Sequence, residues 1–546
     1  MKRFINIIKF AVITGIAFSS CTDSFEHMNG SPFGVTDNEL LQDNNYIGSH
    51  FPRMQQSIYY NPSGFGWDYQ LFQNLNADIW SGYMASGSDF KTGGIDNETY
   101  SLLDGWNSAA WDYPYSSIMP NQLKVTEKCE EAGMETYAHF NAINTVIKVL
   151  TMSRVCDDFG PIIYNHYGES MTGGTFDSAQ DAYKAFFKDL TNAAKTLYEY
   201  SSKQVPSFAN FDLAYDGDLS KWAKLANTLR LRLAIRVVKY DKKWAQEEGE
   251  AAIKDKAGLL QTGESFTVKG KGWKHPLYIC SIDYKNCFIS ANVQSIMEGY
   301  EDPRLEVYGM PSALGKVTGI RTGIPYLPTL VTKYVPKEGK PNISFVNVTP
   351  DQAGMIVSAA ETYFLLAEAA LRGWFTNGKT AKELYEAGID ASFNQWGVSS
   401  PNYKTSQNKP IDYKDPLATE FEVDKKKMNT TMFDIDAVSK VTPNWDDATT
   451  DEERLEKIIT QKWIAGFPEG KNAWAEWRRT GYPKLFPIMK NESQGVIPTE
   501  LGVRRMPYPM GERGTNKEGV EAAVKLLGGP DNGATRIFWD VDKANF

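Results

Sequence analysis

The chain is short of the residues that do covalent chemistry. It carries five cysteines and five histidines in 546 residues. The histidines (His27, His50, His139, His166 and His275) are scattered, and none forms the HExxH pair that sets two imidazoles on one helix face. No CxxC or Cys/His metal-ligand spacing occurs. There is no GxSxG elbow, no phosphate-binding glycine loop and no GxGxxG between a strand and a helix. A surplus of cations is lacking too. The formal net charge is −9, which argues against wholesale binding of nucleic acid. Aromatic rings, in contrast, are plentiful, at 13% of residues with 14 Trp and 28 Tyr. Most rings in any protein fill the core, because each buries a large apolar area. The remainder are what proteins use to stack on sugars or partner surfaces.

The N-terminus reads as an export signal. Met1-Lys2-Arg3 supplies the positive segment, and residues 4–18 form a short apolar run interrupted by Asn6 and Lys9. That run is too short to be read as a spanning helix. It ends in Ala17-Phe18-Ser19-Ser20-Cys21, which resembles a bacterial lipobox with Phe18 where Leu is usual. Residues 1–20 are therefore expected to be a lipoprotein signal peptide, and Cys21 the lipidated residue. Acyl chains on Cys21 would anchor the protein to a membrane leaflet at about 0.8 kcal/mol per buried CH₂. Asp23 and Glu26 follow closely, resembling the surface-export signal of Bacteroidetes lipoproteins. Residues 21–60 are polar and weakly periodic, and are expected to be a lipidated tether that docks onto a body spanning 61–546. Four cysteines remain: Cys129, Cys156, Cys280 and Cys287. An oxidising compartment permits disulfides, and Cys280 with Cys287 would close a small loop; the pairing is left open.

Helical signals dominate the body. Residues 216–240 read as one long amphipathic helix, with Trp222, Leu225, Leu229, Leu233 and Val237 recurring three or four apart. Asp218 and Ser220 stand where an N-cap belongs. Arg230, Arg232 and Arg236 have no reaction to serve and are expected to reach carboxylates or the carbonyl ends of neighbouring helices. Residues 135–150 present Phe140, Ile143, Ile147 and Leu150 on one face, and the Asp157-Asp158-Phe159-Gly160-Pro161 run is expected to stop that helix. Ser178…Asp181 and Thr380…Glu383 read as capping boxes opening helices over 179–200 and 381–395. Further helices are expected over 360–372, 450–465, 471–479 and near 519–527. Residues 61–120 and 258–350 are rich in Gly, Pro and aromatics and read as irregular, with short helices and strands. Residues 397–447 read as polar loop.

Two acidic groups were weighed for chemistry. Adjacent Asp157 and Asp158 do not flank one bond as a hydrolytic pair must, which sits about 5–10 Å apart, so they are read as part of the helix-ending turn. Asp212, Asp216 and Asp218 lack EF-hand spacing and are read as capping groups. No cofactor is expected, and structural calcium has no motif behind it.

Several stretches, in order along nearly the whole chain, are similar to one family. They are Gly217-Asp218-Leu-Ser-Lys-Trp222 with Ala226-Asn227-Thr-Leu-Arg230-Leu-Arg232, then Asp302-Pro303-Arg304-Leu305, then Glu361 through Gly373. Tyr385-Glu-Ala-Gly388-Ile389, Gln461-Lys462-Trp463, Trp477-Arg478-Arg479-Thr480-Gly481-Tyr482-Pro483 and Arg505-Met-Pro-Tyr508-Pro509 complete the set. Together they resemble the SusD/RagB group of outer-membrane nutrient-binding lipoproteins. The resemblance implies a mostly α fold of tetratricopeptide-like helix pairs packed against an irregular loop-rich region with a few short strands. It implies an oligosaccharide or polysaccharide ligand, a SusC-like TonB-dependent transporter as partner, a lipid-anchored position at the outer membrane facing the exterior, and no catalysis. A surface glycosidase, or a structural lid on the transporter with little ligand contact of its own, are the alternatives. Ligand sites in the family are loop-built and do not carry over residue by residue. Sugars present apolar C–H faces and a rim of hydroxyls, so aromatic and polar residues mixed on loops are the expected site. Two stretches have that mixture, giving Asp78, Trp80, Tyr83 and Asp89 from the first and Trp273, Tyr278, Asp283, Tyr284 and Asn286 from the second. Trp463, Trp474 and Trp477 fall in helical patterns and are expected in the core.

Overall fold

The computed structural model describes residues 42–60, 66–87, 94–170, 173–423 and 425–546. The expected signal peptide, Cys21 and Asp89 lie outside the described residues. The chain divides into two compact units, Met1–Ser49 and His50–Phe546. In the first, the described residues hold a short turn, Gln42–Asn44, and a short helix, Asn45–Gly48.

The second unit is organised by helices that pack on one another in sequence. Helix α1 (Met119–Ala132) lies on α2 (Met134–Phe159), α2 on α3 (Ala179–Tyr200), α3 on α4 (Leu219–Arg236) and α4 on α5 (Lys242–Lys254). An irregular stretch follows, containing α6 (Ala291–Gly299). Then α7 (Ala359–Leu371) packs on both α8 (Ala381–Trp396) and α9 (Asp451–Gly466), and touches α4. Helix α10 (Gly470–Thr480) follows α9, and α11 (Lys517–Leu527) lies near the end of the chain. This is the expected mostly α architecture of helix pairs. Short strands tie the irregular parts together. Strand β1 (Met84–Ser86) pairs antiparallel with β3 (Cys287–Ile289), β2 (Phe266–Val268) with β4 (Gly354–Val357), and β5 (Glu420–Val423) with β6 (Lys426–Asn429).

Local chemistry explains the helix starts. Asp218 caps α4 by accepting from the N–H groups of Ser220 and Lys221, which lack partners in a first turn. Ser178 accepts from Asp181 N–H at the start of α3. Thr380 with Glu383, and Thr450 with Glu453, make reciprocal capping boxes on α8 and α9. The ends differ more from expectation. Helix α2 ends inside the run expected to stop it, at Phe159, but Asp157 and Asp158 are helix rather than turn and bury their carboxylates in ion pairs. The stop is Gly160, at φ 93°, a conformation a side chain resists, followed by Pro161. Residues 51–57 form a helix whose Phe51 stands edge-on to Phe140 and Phe208, with ring centroids 5.9 and 4.8 Å away. That part of the expected tether is core. The β5–β6 hairpin lies inside a stretch read as loop. Its exposed charges mask one buried anchor, Phe421, which packs 5.7 Å from Phe433. Cys129, Cys156, Cys280 and Cys287 are buried free thiols, so Cys280 and Cys287 do not close a loop.

The interior where α2, α4, α7, α9 and α10 converge is ionic. Arg230 reaches Glu248 at 2.6 Å, and Arg232 makes a forked pair with Glu361 at 2.9 and 2.5 Å. Arg236 bonds Asp157 at 2.6 Å, Asn472 at 2.7 Å and Glu476 at 3.0 Å. Arg479 forks onto Glu368 and also reaches Glu476 at 2.6 Å. The Lys462 ammonium stands 3.4 Å from Glu361 and 3.3 Å from Glu476. Asp158 pairs with Lys471, and Arg154 with Glu469. Arg232 and Arg236 thus clamp helices distant in sequence, while Arg230 ties α4 to the next helix, α5, and the planar forks suit carboxylates. Burial alone would raise the Glu361 carboxyl, but Arg232 and Lys462 more than reverse this and hold it at about 2.

Candidate ligand-binding face

Pairing of β1 with β3 sets Met84 opposite Ile289 and Ser86 opposite Cys287. The two aromatic stretches singled out in the sequence therefore meet in space, although some 200 residues of chain separate them. Three further bonds hold them. Gln70 donates to Asn286 Oδ1 at 2.9 Å, Asn74 donates to Cys287 Sγ at 3.3 Å, and Cys280 Sγ donates to Gly66 O at 3.5 Å.

Much of the predicted residue set forms this scaffold rather than a surface. Asp78 is fully buried and accepts from Gln73 at 2.9 Å, Tyr69 at 3.0 Å, Asn74 at 3.2 Å and the Gly470 N–H at 3.2 Å. Gly470 is the first residue of α10, so the Asp78 carboxylate sits at a helix N-terminus, where negative charge is favoured. Burial raises the Asp78 carboxyl to about 6 against the pull of those donors. A Cβ on Gly470 would fall 2.6 Å from the Asp78 Cα, so only glycine allows the approach. Trp80 donates its indole N–H to Asn97 O at 3.0 Å and packs 4.8 Å from Trp474. Tyr83 is buried against Trp463 and Phe467 and donates to Trp463 O. Asn286 is buried as well. In this structure Asp78, Trp80, Tyr83 and Asn286 present no surface, because the alternation of aromatic and polar residues that marks a sugar site also marks a satisfied polar core.

The outward-facing residues are others. Tyr284 is 43% exposed, Asp283 is exposed, and Trp273 and Tyr278 are half-buried. Lys274 joins them, with its ammonium 5.5 Å from the Tyr278 ring centroid and 3.2 Å from Asp283. Trp67, 47% exposed, lies on the Gly66–Tyr69 turn, which packs against the Pro276–Tyr278 and Ile279–Asp283 helical turns. Tyr113 donates to Asp68 at 2.7 Å on that turn, and Asp68 and Asp283 both stand close enough to Tyr284 to raise its hydroxyl beyond what burial does. Trp67 and Tyr284 are thus large rings left to solvent on adjoining segments, with the exposed Asp283 and Lys274 beside Tyr284 and Tyr278, while Asp68 is buried beneath the turn. Sequence reasoning passed over Trp67, whose exposure is set by packing of the turn and not by any local pattern. Trp477, expected in the core, is partly exposed.

One buried acid braces β1. Glu98 accepts from Ser86 N–H at 3.3 Å beside β1, and its other oxygen meets the Tyr326 hydroxyl, which donates to Ser86 O at 2.9 Å. A hydroxyl has one proton to give, so the contact is completed by a protonated Glu98 donating to Tyr326. Burial, reinforced by Asp96, raises the Glu98 carboxyl to about 8, in agreement. The folded state then holds a proton that the unfolded state releases above about 4.5, and stability falls as pH rises from there through about 8. Glu98→Gln keeps both the donor and the acceptor. It is expected to raise the thermal midpoint at pH 9 and flatten its decline between pH 6 and 9, as differential scanning calorimetry would show.

Asp157 and Asp158, weighed as a hydrolytic pair, and Asp212, weighed for calcium, are consumed by structure. Asp157 bonds Arg236, Tyr183 and the Trp539 indole, and Asp158 bonds Lys471. Asp212 accepts from the N–H groups of Ala214, Tyr215 and Gly217 and from Trp222 Nε1.

With this geometry in view, the comparison with known proteins decides the family. The model of the SusD-like outer membrane lipoproteins, Susd and RagB, matches residues 27–540. The chain belongs to the SusD/RagB family. A chitin-binding SusD homologue from Flavobacterium johnsoniae is 41% identical, with a TM-score of 0.84 over 92% of this chain and 100% of that one. A SusD homologue from Bacteroides vulgatus is 37% identical, with a TM-score of 0.82 over 92% and 99%. One from Bacteroides uniformis is 32% identical, with a TM-score of 0.79 over 91% and 99%. No curated protein matches the chain. The SusD/RagB proteins are outer-membrane lipoproteins. Among the described residues no helix is long and apolar enough to cross a membrane.

Proposed function

We propose that this SusD/RagB protein is a cell-surface nutrient-binding lipoprotein that captures oligosaccharides or polysaccharides and passes them, uncleaved, to a SusC-like TonB-dependent transporter. The observation that carries the reading is the pair of solvent-facing rings, Trp67 and Tyr284, on adjoining segments with Lys274 and Asp283 nearby. Rings stack on the C–H faces of sugars, and the charged rim bonds their hydroxyls. Trp273 and Tyr278 extend that surface. Family membership supports it, as does the chitin-binding description of the 41% identical homologue. Lipidation at Cys21 would hold the protein on the outer leaflet, with the face turned to the exterior.

The rigid ionic interior suits this role, since a preformed face loses little entropy on binding. Three experiments test it. Gentle detergent extraction of outer membranes and capture of the lipoprotein should bring down a TonB-dependent barrel, and a Cys21→Ala protein should leave the membrane fraction. Incubation with bound oligosaccharides should return them uncleaved by mass spectrometry. Turnover would replace the binding reading with a glycosidase. Absence of a barrel would remove the transporter from the account.

A further inference from the structure

A second groove lies apart from the Trp67 face. It is a cleft of about 680 Å³ between α1, the Ala109–Tyr113 helix, the loop after α2 and the Met510–Thr515 helix. Half-buried Tyr115 and Tyr167 line it, their ring centroids 6.0 Å apart and their planes 31° from parallel. The backbone fixes this pair. Tyr115 donates to Ile163 O at 3.0 Å and accepts from Ile163 N–H at 2.9 Å. The loop carrying Tyr167 is held by Asp177, which accepts from the Tyr164 and Asn165 N–H groups.

Carboxylates dominate the lining charge. Asp112, Glu127 and Glu512 face the groove, and none of the three forms an ion pair with a described residue; Lys124 is the one lysine on the wall. His166, also on the wall, is turned to Glu169 at 3.0 Å. Glu512 accepts from Asn516 at 3.0 Å, a neutral donor. Burial raises the Asp112 carboxyl against a hydrogen bond from Ser108, and Glu512 and Asp104 raise it further. Among the described residues no group of three or more His, Cys, Asp or Glu side chains is arranged to hold a metal ion. The wall therefore offers acceptors and negative charge spread along a cleft, beside the Tyr167 ring and the Tyr115 ring, which is backed 4.8 Å away by Trp111.

From this geometry we infer that the Tyr115–Tyr167 groove is a second saccharide site, selective for sugars that carry protonated amino groups. Ammonium groups would pair with Asp112 and Glu512, where acceptors stand without cations. The sugar C–H faces, and the cations themselves, would lie on the tyrosine rings. The inference shares the saccharide reading of the protein but needs nothing from the Trp67 face.

The probes are a chitosan hexamer, with free amines, and the fully N-acetylated hexamer, titrated calorimetrically at pH 5.5 and low salt. The expected result is that wild type binds the chitosan hexamer at least tenfold more tightly. The Asp112→Asn, Glu512→Gln double variant, which keeps the neutral hydrogen bond to Asn516, should lose at least tenfold for chitosan with an unchanged thermal midpoint. Tyr167→Ala should weaken it similarly. Trp67→Ala should leave it intact, which separates this site from the proposed glycan face. Equal binding of the two hexamers, or chitosan affinity unaffected by the double variant, would overturn the inference. So would loss of chitosan binding in Trp67→Ala alone.

Discussion

Arg236→Met is expected to lower the free energy of unfolding by roughly 3 kcal/mol, the low end of what breaking a buried ion pair costs. The methionine stem fills part of the space, and the loss comes from what Arg236 leaves behind. Glu476 keeps Arg479 and Lys462 as partners and suffers little. The Asp157 carboxylate keeps only the neutral donors Tyr183 and Trp539 as direct partners, in a buried site. The guanidinium also lies 5.3 Å from the Trp539 ring, and that contact goes too. Urea denaturation at pH 7 with an unchanged m-value would read the effect. A loss below about 1 kcal/mol, the scale of an exposed pair, would mean that the network is not what clamps the helices. The network should also fail in acid. Burial works against Glu361 and Glu476, yet their cationic neighbours hold Glu361 at about 2 and Glu476 well below its ordinary value. These groups contribute stability above the unfolded carboxylate range, and lose it as pH falls from about 4.5 toward 2.

The second large effect falls on binding. Trp67→Ala with Tyr284→Ala is expected to weaken the preferred oligosaccharide by at least tenfold, about 1.4 kcal/mol. Both rings are close to half exposed, so the thermal midpoint should hardly move. Trp80→Ala gives the contrast. Its ring is buried on Trp474, so roughly 3–5 kcal/mol of stability should go before any effect on affinity is measurable. A Trp67 and Tyr284 double variant that binds normally would move the ligand to another face.

The helices were largely legible because their signals are local. Capping groups at Ser178, Asp218 and Thr380 marked starts that the structure places within a residue or two, and the arginines of α4 pointed to carboxylates before any partner was known. What failed was non-local. Asp157 and Asp158 look like the end of a helix until Arg236 and Lys471, which arrive from elsewhere in the chain, are in place. Phe51 and Phe421 are single anchors in polar stretches, too sparse to give a period. At the ligand face the same limit applied more strongly. The two stretches were found and do meet through β1 and β3, but composition could not say which of their rings point inward. Asp78, Trp80 and Tyr83 were chosen for chemistry that they spend on holding α9 and α10. Trp67, one residue along a four-residue turn, carried no mark of its exposure.

The central claim is that this protein binds glycan on the face bearing Trp67 and Tyr284. Its most direct test is calorimetric titration of the intact protein, wild type and Trp67→Ala/Tyr284→Ala, against a panel of plant, fungal and host-type oligosaccharides. The account predicts saturable binding of at least one glycan class by the wild type, and at least tenfold loss in the double variant with an unchanged thermal midpoint. Wild type that binds no oligosaccharide, or a double variant that binds as the wild type does, would contradict it.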